Sequence, residues 1–196
     1  MKRTPDATPD MKRPAAKFDP FNNRLSRDIR NTLSEAFMAA LAQMKPSTYR
    51  DEADGWLAQP PPAVMVEYIQ DRLRRYDRVF EQIQEGALDE PLLQSLVLWN
   101  HKLFFEFHDH LEGIWKQATG DKRQALKGLI KAAGVYIHYE FNRRQAATKL
   151  AGKSYTLIRQ YAHCLAFIEN LNVLLQALKN LDANPPGLEN PALHRD

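Results

Sequence analysis

At 196 residues, with 44% hydrophobic and 26% charged residues, the chain is long enough for one sizeable core and too mixed for a disordered or fibrous protein. The net charge is +3, and the single cysteine, Cys164, excludes an internal disulfide and a cysteine-based zinc cluster and predicts a reducing, cytoplasmic setting. No apolar run approaches the roughly 20 residues of a membrane-spanning helix, and the basic N-terminus lacks the apolar segment of a secretory signal.

Residues 1–20 carry four of the twelve prolines and Lys2, Arg3, Lys12, Arg13 and Lys17 against Asp6, Asp10 and Asp19. They read as a disordered basic arm. The rest of the chain is nearly neutral, which disfavours a nucleic-acid partner.

From Asn22 to Met44, Leu25, Ile29, Leu33, Phe37, Leu41 and Met44 recur about once per helical turn, with Asn22 or Asn23 positioned to cap. Pro46 stops this helix, and residues 46–62, ending in three prolines, read as a connector. A second helix runs to about Glu85 on Val66, Ile69, Leu73, Tyr76, Phe80 and Ile83. Arg72, Arg74, Arg75 and Arg78 read as its solvated side, partly paired with Asp71 and Glu81. Together residues 21–88 form an N-terminal helical extension.

A helical core is expected over residues 89–181. Its first helix has Pro91 early and ends near Asn100-His101-Lys102. An aromatic helix follows to about Ala118, and Thr119-Gly120-Asp121 breaks the chain before a helix over 122–141. Residues 143–181 are helical again, as one kinked helix or two joined near Ala162. From Asp182 the proline-rich end reads as a flexible tail. No strand-like alternation occurs, so the fold is expected to be all-α: six to seven antiparallel helices arranged as hairpins.

The densest chemistry lies in the aromatic helix. At about 100° per residue, Phe104, Phe107, His108, Leu111, Ile114 and Trp115 share one face. Phe105 and Glu112 border it, while Glu106 and Asp109 point elsewhere. His108 and Glu112 are one turn apart, so a buried imidazole with a carboxylate partner is expected. Lys127, Lys131, Gly134 and His138 form a stripe on the next helix that approaches them if the two helices pair. Three readings are open: a structural core histidine, a metal or acid/base site, and a ligand or partner pocket.

Trp99, Asn100, Lys102, Phe104, Phe105, Glu106, His108, Asp109, Glu112 and Trp115 follow an ordered pattern that resembles a bacterial helical family, domain of unknown function 309, sometimes labelled a predicted metal-dependent hydrolase. Gly128-Leu129-Ile130 and His138 extend the resemblance over about residues 90–160. Lys102 stands where that family has glycine, Asp109 where it has glutamate, and Lys127 and Lys131 where it has glutamines. The label implies a divalent metal ion as cofactor, with His108, Glu112 and His138 as candidate ligands and Glu106 and Asp109 in reserve. Two lysines beside such a site repel a cation, and no phosphate loop, nucleophile motif or H-E-x-x-H is present. The favoured expectation is therefore a non-catalytic module that binds a small ligand or a protein in an aromatic groove. The hydrolase is the alternative, and the oligomeric state is left open.

Overall fold

The computed structural model describes residues 17–194; the expected disordered arm falls mostly on residues 1–16, outside the described residues. The fold is all-α. Among the described residues there are eight α-helices and no strand: α1 Arg24–Gln43, α2 Ser47–Ala58, α3 Ala63–Glu85, α4 Pro91–Asn100, α5 Phe104–Gln117, α6 Gly120–Glu140, α7 Arg144–Gln160 and α8 Leu171–Asn180. Short 3-10 turns occupy Ala162–Leu165 and Pro191–His194.

Local chemistry sets several boundaries. Asn23 caps α1 by accepting the Ser26 amide at 2.8 Å. Lys102 and Asn142 take left-handed backbone, φ 57° and 56°, and so end α4 and α6. Gly120, at φ 56°, opens α6 where a side chain would be strained.

Two expectations need correction, and one open alternative is decided. The helix count exceeds six to seven because residues 47–58, expected as connector, form α2. Tyr49 and Ala53, one turn apart, are fully buried there, and the Tyr49 hydroxyl donates to Asp77 at 2.8 Å. Residues 143–181 form two helices, separated by a turn that buries Leu165 and Ile168. The tail is fastened rather than loose. Trp99 Nε1 donates to the Pro186 carbonyl at 2.7 Å, and Asn100 pairs with both backbone groups of Leu188 at 2.8 and 2.9 Å. Leu188 itself is buried.

α6 runs through the middle of the core, against α5 on one side and α7 on the other. Small residues allow this: Ala125, Gly128, Ala132 and Ala133 are buried along it. A Cβ on Gly128 would sit 2.9 Å from Ile158 Cγ1 and 3.1 Å from its backbone nitrogen, so α7 approaches to backbone contact. Ser154 seals the crossing by donating to the Gly128 carbonyl at 2.8 Å. α1 and α3 cover a second face of α5: Phe37 stacks on Tyr76 at 4.0 Å between ring centroids, and Arg30 lies 3.9 Å over the Phe105 ring.

Candidate functional site

A pocket of about 300 Å³ opens between α5, α6 and α7. α5 contributes His108, Glu112 and Trp115; α6 contributes Lys127, Ile130, Lys131 and Gly134; α7 contributes Leu150. The i, i+4 spacing of His108 with Glu112, and of Lys127 with Lys131, stacks each pair along one stripe of its helix. Gly134 leaves room, since a Cβ there would meet Leu150 Cδ2 at 2.5 Å.

The His108–Glu112 pair is looser than a buried pair. His108 Nε2 stands 4.0 Å from Glu112 Oε1, and the two side chains are 31% and 41% exposed. They form the wet rim of the pocket, with Trp115, Ile130 and Leu150 as its apolar wall. His108 Nδ1 lies 3.4 Å from Asp109 Oδ1. No ion pair joins Glu112 to Lys127 or Lys131 among the described residues. Burial, then the neighbouring Lys127 and Lys153, hold the Lys131 ammonium below the usual lysine value. Lys127 and Lys131 are the cationic groups on the α6 side of the pocket. Trp115 carries Arg123 4.2 Å over its ring and leaves its buried indole N–H without a partner.

The remaining candidates lie elsewhere. Phe104 packs between Trp99 and Tyr136, with ring centroids 5.1 and 5.3 Å away. Phe105 is held under Arg30. Asp109 accepts from Ser34 of α1 at 3.0 Å. Glu106, expected to point away from the core, is fully buried: it accepts from the Tyr76 hydroxyl at 2.6 Å and lies 3.9 Å from Arg72 Nε. His138 stacks on Phe21 at 5.2 Å between centroids, and burial followed by Arg143 lowers its pKa.

The candidate metal set is not assembled. Among the described residues no three His, Cys, Asp or Glu side chains come together in a way that could hold a metal ion. The physical reason is directional. His108 and Glu112 face the α7 side of α6, His138 is held by the Phe18–Phe21 segment, and Glu106 and Asp109 are engaged by α3 and α1. The residues present do not fit the implied ion.

Sequence reasoning missed Arg72. It is 1% exposed, donates to Glu140 Oε1 at 2.9 Å and lies 4.8 Å over the Tyr68 ring. A signal was available: Tyr68, Arg72 and Tyr76 repeat every fourth residue beside the apolar seam. Phe18, assigned to the arm, stacks on Tyr68 at 3.6 Å.

No described helix is long and apolar enough to cross a membrane. No curated protein and no solved structure matches the chain. In the region that holds the aromatic helix, residues 92–150 match the model of the family described as Domain of unknown function (DUF309).

Proposed function

We propose that the chain is a non-catalytic binding module that takes a small ligand in the α5–α6–α7 pocket. The observation that carries this reading is the pocket's composition: an apolar wall of Trp115, Ile130 and Leu150, a polar rim of His108 and Glu112, and two lysines, all within about 300 Å³. Small-ligand sites combine mostly apolar lining with a few polar groups that fix orientation. The lysines favour an acidic group on the ligand. Cytoplasmic residence and a small-molecule partner belong to the same proposal. The metal-assisted hydrolase has no assembled ligand set among the described residues to support it.

The test is a titration of isotope-labelled protein with a panel of small aromatic carboxylic acids, read in 1H–15N spectra. The Trp115 indole and the Gly134 amide are expected to shift saturably, and Lys131→Gln to weaken binding. Ligand-induced shifts that avoid both groups, for every acid tried, would sink the reading.

A further inference from the structure

Where α3 passes the α4–α5 turn, two cavities of about 280 and 300 Å³ share Arg75 and Lys102 as lining. Neither shares a residue with the α5–α6–α7 pocket. The first is aromatic, walled by Phe104, Tyr136, Tyr139 and Pro185. The second is cationic, adding Arg74 and Arg78.

The carboxylates nearby are already engaged. Asp71 lies 2.9 Å from Arg75 and 3.5 Å from Arg74, and Glu140 lies 2.9 Å from Arg72. Among the described residues no carboxylate comes within ion-pair distance of Arg78 or Lys102. His101 adds no charge: its Nε2 is 3.0 Å from Gln82 Oε1, and burial with Arg78 and Arg75 nearby favours the neutral ring. Tyr136 carries an unsatisfied polar atom beside the aromatic cavity. It lines the aromatic cavity, is 2% exposed, and leaves its buried hydroxyl without a hydrogen-bond partner. Buried polar atoms are rarely left unsatisfied in a native protein.

We propose that these two adjoining cavities bind a small phosphomonoester carried on a planar ring. Its phosphate is held at Arg78 and Lys102, and its ring lies against Phe104, Tyr136 and Tyr139. A dianion suits the two unpaired cations, Arg78 and Lys102, better than a lone carboxylate does. The ring suits an aromatic wall, and cavities of this size suit a small molecule.

The proposal is independent of the pocket reading above, and its test uses different residues. Phenyl phosphate is titrated into the full chain by calorimetry, with inorganic phosphate and phenol as controls. One saturable site is expected at about 1 mM or tighter, with either control alone binding at least about tenfold more weakly. With Lys131→Gln as the common background, so that the α5–α6–α7 pocket does not contribute, Lys102→Gly and Arg78→Gln should each weaken phenyl phosphate about tenfold. Lys102 sits at φ 57°, so glycine relieves the backbone there and the variant folds. Three results would overturn the proposal: no saturable binding, affinity untouched in both variants, or inorganic phosphate as tight as phenyl phosphate. Saturable binding of an acidic peptide with no response to phenyl phosphate would overturn it too, in favour of a protein partner.

Discussion

Tyr76 and Glu106, on helices α3 and α5, meet at 2.6 Å in an interior that solvent does not reach. The carboxylate also faces Arg72 at 3.9 Å, and Arg72 in turn reaches Glu140 at 2.9 Å. One cluster therefore ties the first helices of the chain to both α5 and α6. A buried ion pair adds modest net stability, but breaking one strands a charge.

Glu106→Ala is accordingly expected to destabilise the fold by about 3–5 kcal/mol, and Tyr76→Phe by about 1.5–3 kcal/mol, the cost of a lost hydrogen bond to a charged group. Urea unfolding near neutral pH measures both. A Glu106→Ala variant with the parent midpoint would mean that the carboxyl is not ionised or not buried in solution.

The contrast between Glu106 and His108 shows where sequence reading stops. Helical periodicity is local, so it places His108, Glu112 and Trp115 on one stripe and Lys127 with Lys131 on another. The short Thr119-Gly120 break brings the two stripes to one pocket. Periodicity also assumes that a helix has one buried face. α5 has two, because α1 and α3 cover the side that carries Glu106 and Asp109. That second face depends on contacts between residues 30–77 and 105–109, which no local pattern encodes. The same limit hides α2, whose buried stripe is only Tyr49 and Ala53, and the tail, whose anchors Trp99 and Asn100 lie far upstream.

Glu112→Ala follows the corrected geometry. A pair 4.0 Å apart and 31% and 41% exposed is screened by water, unlike the buried partnership expected from spacing. The substitution should change stability by no more than about 0.5 kcal/mol. A loss above about 1 kcal/mol in thermal or urea unfolding would restore the buried pair.

Gly128 and Gly113 make a matched comparison. Both sit inside helices, and both gain helix propensity when changed to alanine. At Gly128 the new methyl would meet Ile158 Cγ1 at 2.9 Å and the Ile158 nitrogen at 3.1 Å, while at Gly113 nothing lies within 4 Å. Gly128→Ala should destabilise by about 1–3 kcal/mol, and Gly113→Ala should stabilise by about 0.5–1 kcal/mol. Equal shifts of the melting temperature in the two variants would show that α6 and α7 do not approach as closely as described.

Acid should weaken the fold well before its carboxylates titrate. Burial is the largest cause of lowered pKa at His101, His110 and His138; Arg78 and Arg75 add to it at the first, and Arg143 at the third. His110 is partly compensated because its Nε2 donates to the Pro91 carbonyl at 3.0 Å. A histidine with a depressed folded value binds fewer protons in the native state than in the unfolded chain. Stability is thus full above the unfolded value of about 6.5 and declines as pH falls below it. Asp19, whose pKa is lowered first by its hydrogen bond from Asn22, acts in the same direction, but only as pH approaches the carboxylate range near 3.8. Urea midpoints should fall steadily from about pH 7 to about pH 5, and His110→Gln, which can still donate to Pro91, should flatten part of that slope. A midpoint that stays constant across this window would mean that the imidazoles are solvated and titrate alike in both states.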